Sequence, residues 1–186
     1  MYYKKYESER IYLSVIDPND YKTFTRWIND ESLARGLGNF KFNFTEQDEK
    51  EYLENSNKNG TLTFAIIRKE DNKLLGSYGL EIKDNVSRRI HVGGFIGDKE
   101  DRGKGYGTEA IRLILEYGFK YLNLQNIKLD LMEFNGRALK CYQKCGFKEY
   151  GRRRKCKYIN GKYYDTISMD ILAEEFEGDY IRNKNI

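Results

Sequence analysis

The chain has 186 residues, 39% hydrophobic and 33% charged, with 33 Lys and Arg against 29 Asp and Glu for a net charge of +4. That balance predicts one soluble globular domain, 1–186, whose core draws on 16 Tyr and 10 Phe. No run is long enough to span a bilayer, and the opening MYYKKYESER lacks a signal peptide's apolar centre, so no membrane partner is expected and the expected compartment is the cytoplasm.

Residues 10–16 alternate, with Ile11, Leu13 and Val15 on one side, and predict a first strand. Asp17-Pro18 then starts a helix whose apolar stripe is Tyr21, Phe24, Trp27 and Ile28. Residues 36–44 carry aromatics without a period and read as an ordered loop. Thr45 to Asp48 resembles a capping box opening a second helix through about Asn55. Three strands joined by turns follow: 61–68 after Asn59-Gly60, 73–83 after Asp71-Asn72, and 87–96 after Asp84-Asn85. A glycine-studded turn leads into a helix with Ile111, Ile114, Leu115, Gly118 and Leu122 on one face. Residues 127–134 form another strand. Asn135 caps a short helix that ends at Gly146, and strands 147–159 and 162–172 meet at Asn160-Gly161. From Ala173 the tail is polar and is expected to fray. The order β-α-α-β-β-β-α-β-α-β-β predicts a mixed sheet with helices on both faces, an α/β layered architecture in the broad (α+β) sense. Hairpin-linked strands in the middle exclude a doubly wound order.

Three cysteines, Cys141, Cys145 and Cys156, and a single histidine leave little from which to build a metal site, and none is expected. Cys141 and Cys145 lie four apart and read as small packed residues on one helix face. The one concentrated basic run, Arg152 to Lys155, reads as a solvated strand end more readily than as an RNA contact.

The segment Arg102-Gly103-Lys104-Gly105-Tyr106-Gly107 carries the chemistry. Placed between a strand and a helix, it aims backbone N–H groups and the positive end of a helix dipole at an anion. Glycines let a phosphate approach the backbone, and Lys104 and Arg102 add charge at the rim. A Walker-type loop fails because Gly97 lies one residue too far upstream and Gly105 stands where a hydroxyl should be. A dinucleotide fingerprint fails because the pattern is G-x-G-x-G, past mid-chain, without an acidic ribose partner.

Arg-x-x-Gly-x-Gly at 102–107 resembles the pyrophosphate loop of the GCN5-related N-acetyltransferases. The run Asn135-x-x-Ala138-x-x-x-Tyr142-x-x-x-Gly146-Phe147 is similar to a second pattern of that superfamily, in the expected order and separation. The closing hairpin, 158–165, looks like the branch with ribosomal-protein N-terminal and spermidine acetyltransferases. The resemblance covers nearly the whole chain, most strongly 88–172. It implies a GNAT-like, mostly antiparallel sheet and acetyl transfer from acetyl-CoA to a primary amine, either a small molecule such as a polyamine or a protein N-terminus. A homodimer would fit the resemblance. Phe95, Ile96 and Gly97 would then lie along the pantetheine. The amides of 104–108, through Tyr106, Gly107 and Thr108, would surround the pyrophosphate, and Asn135 would contact the pantetheine arm.

Acetyl transfer needs a neutral amine and a protonated leaving thiol, whose pKa is about 8.5. The family pattern places Tyr142 as the acid. Many relatives carry a Glu in the strand before the loop, and His91 sits there instead, as a proton relay or as a satisfied structural residue. Glu81 and Glu133 are the other candidates for a base. A catalytically impaired acyl-CoA or nucleotide sensor, and an RNA-associated protein, are the alternative readings.

Overall fold

The computed structural model describes residues 1–38, 43–58, 60–84 and 86–182. Its elements are β1 (Lys4–Glu7), β2 (Ile11–Val15), α1 (Tyr21–Ile28), α2 (Glu31–Leu37), α3 (Glu46–Asn55), β3 (Thr61–Arg68), β4 (Leu74–Asp84), β5 (Arg89–Ile96), α4 (Tyr106–Glu116), β6 (Asn126–Met132), α5 (Gly136–Gln143), β7 (Lys148–Ile159) and β8 (Lys162–Leu172). Among the described residues the strands form one sheet in the order β1-β2-β3-β4-β5-β6-β8-β7. Every neighbouring pair is antiparallel except β5 with β6. The expected mixed, mostly antiparallel sheet is what forms.

Alternation along the strands divides the core in two. Ile11 and Leu13 of β2 and Phe64 and Ile66 of β3 pack with Ala110, Ile111 and Ile114 of α4 and Tyr142 of α5. Their neighbours Tyr12, Ala65 and Ile67 face the other way, onto Phe24 and Trp27 of α1, Leu33 of α2 and Leu53 of α3. Each large apolar side chain taken fully out of water contributes about 1.5–3 kcal/mol, so both helical layers are held by the same strands. Val15, expected on the buried side of β2, is 50% exposed because that strand ends there.

Two elements escape the sequence pattern. β1 is four residues, two of them lysines, and exists through its ladder with β2. α2 takes over part of the segment read as loop: Asp30 accepts from the Leu33 N–H, and Gly38 ends the helix at φ 76°. Its buried stripe is only Leu33 and Ala34, too short to show a period. The loop reading of 36–44 otherwise falls partly outside the described residues, as do Asn59 and Asn85 of two predicted turns.

The tail does not fray over 173–182. Glu116 of α4 is buried and accepts from the Ile181 N–H at 2.9 Å, and from that of Tyr180. Ile181 is 2% exposed, and the Arg182 N–H bonds the Glu7 carbonyl at 2.8 Å beside β1. A polar sequence conceals this docking because backbone donors meeting a buried carboxylate hold it. At the other sheet edge, β7 carries the basic run outward. Arg152 pairs with Glu149 at 3.1 Å and Glu133 at 3.8 Å, a charged edge that discourages strand addition. Among the described residues, no helix is long and apolar enough to cross a membrane.

Candidate active site

The site is built where β5 and β6 separate. They pair at Arg89–Asn126, Ile90–Ile127 and His91–Lys128, after which β5 runs on to Ile96 and β6 to Met132 without a common ladder. His91 is the last β5 residue in the pairing, and its Nε2 lies 3.4 Å from Asp130 Oδ2. Beyond the fork the main chain of β5 has lost one ladder partner and faces a cleft.

A pinned turn carries the chain from β5 into the glycine loop. Gly97 packs so closely on Trp27 that an added Cβ would lie 2.1 Å from the indole. Trp27 Nε1 donates to Asp98 at 2.7 Å, and Lys73 Nζ sits 3.1, 3.3 and 2.8 Å from Asp98, Glu100 and Asp101. This acidic cluster is therefore already organised around an ammonium group. The Arg102 side chain is only 7% exposed; it donates to the Ile96 carbonyl at 3.1 Å, to the Gly97 carbonyl and to Ser32 Oγ at 2.8 Å. Arg102 thus clamps the loop to β5 and α2 while still lining the cavity beside it. Lys104 is exposed, with Nζ 3.9 Å from Asp101.

Gly103 and Gly105 take φ values of 80° and 91°, the left-handed region where a Cβ is strained. A Cβ on Gly103 would meet nothing within 4 Å, so the space over it is open. Gly105 precedes α4 and offers no side-chain cap. The first N–H groups of α4 consequently have no acceptor within the helix and point their positive end outward.

These pieces line a cavity of about 530 Å³ between the separated strands. Gly94, Phe95 and Ile96 form one wall, Gly103, Gly105, Gly107 and Thr108 close one end, and Asn135, Cys141 and Tyr142 of the α5 region form the other wall. Gly97, Lys104 and Tyr106 do not line it: Gly97 is occupied by Trp27, and the Tyr106 ring lies under the Arg10 guanidinium at 4.8 Å. Asn135 accepts from the Ala138 N–H at 3.2 Å, so it caps α5 and lines the cavity together.

Tyr142 is buried, and burial pushes its hydroxyl up to about 12. Its hydroxyl meets that of Tyr78, which burial also raises. Tyr142 therefore holds its proton at neutral pH. The packed-cysteine reading holds for buried Cys145 but not for Cys141, which lines the cavity 3.3 Å from Thr108 Oγ1. A hydrogen bond with Cys145 lowers the Cys141 thiol while raising that of Cys145.

A second cavity, of about 630 Å³, lies on the face of the sheet covered by α1 and α3. Its floor is low because Gly79 of β4 stands opposite Gly93 of β5, and a Cβ on Gly93 would meet nothing within 4 Å. Phe24, Phe44 and Tyr52 wall it, and Glu49, Glu81 and His91 line it. Gly94 and Phe95 line both cavities, so the two meet at β5 just beyond the fork. Glu133 lines neither; its Oε1 accepts from the Asp165 N–H at 2.8 Å. The sequence reading missed Glu49, because a glutamate in a polar helix turn looks like an exposed one.

The residue profile described as acetyltransferase (GNAT) domain matches residues 10–148, so the chain belongs to the GNAT acetyltransferase family and is an acetyl-transferring enzyme. It is 34% identical over 128 residues to the probable N-acetyltransferase YjcK of Bacillus subtilis, covering 68% of this chain and 70% of that protein. It is 31% identical over 155 residues to a spermidine N(1)-acetyltransferase of Vibrio cholerae, covering 81% of this chain and 88% of that one. Its fold is similar to a solved spermidine N-acetyltransferase of Vibrio cholerae in complex with CoA and spermine, with a TM-score of 0.80 at 24% identity over 89% of this chain and 97% of that one.

Proposed function

We propose that this enzyme moves an acetyl group from acetyl-CoA to a primary amine by direct attack of the amine on the thioester. The observation that carries the reading is the meeting of two differently built cavities at Gly94 and Phe95. One ends in an uncapped helix N-terminus and open glycines, and the other is lined by carboxylates. The solved relative that holds CoA supports the choice of donor.

The amides at the start of α4 and around Gly103 and Gly105 suit a pyrophosphate, with Thr108 at the same end. Phe95, Ile96 and Asn135 suit the pantetheine arm. Acetyl-CoA supplies the activated acetyl thioester. Tyr142 holds a proton at its hydroxyl and donates it toward the departing sulfur. The Tyr78 hydroxyl meets that of Tyr142 inside the protein, so the two buried phenols sit side by side at this wall. The environment that keeps Tyr142 protonated also makes it a reluctant full proton donor, so hydrogen-bond stabilisation of the thiolate is the larger part of its role. On the other side of β5, His91 faces the acceptor cavity and takes the amine proton at its ring, with Glu81 directly across the ladder.

Titration with acetyl-CoA and with 3′-dephosphorylated CoA, followed by a thiol-release assay over amines and peptides, tests the reading. Binding with amine-dependent thiol release is expected. Binding without release on any acceptor would mark a sensor instead, and no binding at all would refute the cofactor assignment.

A further inference from the structure

We propose that the acceptor is an aliphatic amine carrying a second ammonium group, and that the Glu49 carboxylate seats this second cation while the first amine reaches β5. The inference rests on the acceptor assignment above and names the substrate class of that cavity.

Glu49 lies in the first turn of α3 and is 4% exposed, yet its side chain lines the second cavity. Its carboxylate makes no hydrogen bond or ion pair with any described residue. A carboxylate largely withdrawn from bulk water without a protein partner is costly, and one that faces a cavity is placed to meet a ligand there. Its neighbour Asp48 is in a different position. Asp48 Oδ2 accepts from the Thr45 N–H at 2.8 Å and from Thr45 Oγ1 at 2.7 Å, so that charge is committed to starting the helix.

The rest of the lining fits the same ligand. Asp48, Glu49 and Glu81 face the cavity, and no Lys or Arg among the described residues does, in a chain whose net charge is +4. Phe24, Ile28, Phe44 and Tyr52 offer apolar and aromatic walls to the methylenes between two nitrogens. The groups that titrate around Glu49 are Asp48 and Tyr52 on α3, Glu81 on β4 and His91 on β5, while α1 contributes only Phe24 and Ile28. Burial holds the Glu49 carboxyl up at about 7, so an ammonium arriving there displaces a proton.

The test compares 1,4-diaminobutane with pentylamine, which has a similar chain and no second cation. The diamine should show at least a tenfold higher kcat/KM, expressed in KM. Glu49→Gln should reduce that ratio by tenfold or more, and wild-type protein should release protons on binding the diamine in buffers of different ionisation enthalpy near pH 7. An equal preference for the two amines, a preference for a peptide N-terminus lacking a second cation, or a ratio unchanged by Glu49→Gln would each overturn the proposal. Thiol release with pentylamine or the peptide would leave the acetyltransferase reading standing in those cases; absence of release with every acceptor would remove that reading instead. Thermal-shift stabilisation by the diamine in wild type, lost in Glu49→Gln, reads the same contact without turnover.

Discussion

His91 Nε2 reaches Asp130 Oδ2 at 3.4 Å across the last paired position of β5 and β6. The contact spans the point from which the cleft opens, so the imidazole is oriented by one strand while it lines the second cavity from the other. Replacing His91 by Gln keeps a polar side chain but removes the proton acceptor. We expect kcat/KM for the amine to fall by at least tenfold, with the acidic limb of its pH profile lost, while acetyl-CoA binding stays within about twofold. A retained acidic limb would assign the proton to Glu81 or to water.

Tyr142→Phe removes one oxygen from a buried ring that stacks edge-on with Phe147 at 5.5 Å between centroids. Because the ring packing stays, the fold and cofactor affinity should be retained, while the buried Tyr78 hydroxyl loses its partner at a cost of about 1–3 kcal/mol in stability. Loss of the donor to the departing sulfur should lower kcat by about 10²–10³. Steady-state kinetics beside a calorimetric titration separate these effects, and unchanged turnover would remove the acid role.

Gly105→Val places a β-branched residue at φ 91°, where its Cβ would also lie 3.0 Å from the Arg10 guanidinium. Left-handed strain of about 1–2 kcal/mol is expected, lowering the melting temperature by a few degrees. The loop amides would move with it, so acetyl-CoA affinity should drop by tenfold or more in a direct titration. An affinity equal to wild type would mean that the α4 N-terminus does not hold the phosphates.

Glu49 makes stability depend on pH in a direction opposite to that of an ion-paired carboxylate. Its ordinary value is near 4.5 and burial raises it to about 7, so the folded protein binds the proton more tightly. Below about pH 4.5 the group is protonated in both states and costs nothing. Stability then falls as pH rises toward 7 and levels off above it, by about 3 kcal/mol in all for this group. Glu49→Gln should flatten that part of the profile and raise the melting temperature at pH 8 in ligand-free protein. A melting temperature at pH 8 that does not rise would show that the carboxylate is better solvated than its burial implies.

The strands and long helices were legible because each buries one side of a periodic pattern. The alternation of 61–68 reappears as two cores served by opposite faces of β3. Asn160-Gly161 also read correctly, since both residues adopt the positive φ values of 46° and 83° that such a hairpin requires. The glycine turn before α4 was legible for the same local reason: Gly103 and Gly105 take the positive φ that favours glycine, whatever surrounds them. Its side chains were not. Arg102 looked like a free rim charge; it lines the cavity but is also held as a clamp, because the carbonyls of Ile96 and Gly97 that hold it are brought beside it only when the turn closes.

Sequence alone determined the order of most elements, the glycine turn that opens α4, and the helix that carries Tyr142, all of which follow from spacing along the chain. Tertiary structure decided the rest. Separation of β5 from β6 opened the cleft, the facing glycines Gly79 and Gly93 lowered the floor of the second cavity, and α3 laid Glu49 into it. Burial and partnership are properties of surfaces brought together from distant positions, so a glutamate in a polar helix turn becomes an unpaired cavity charge only after the chain has folded around it.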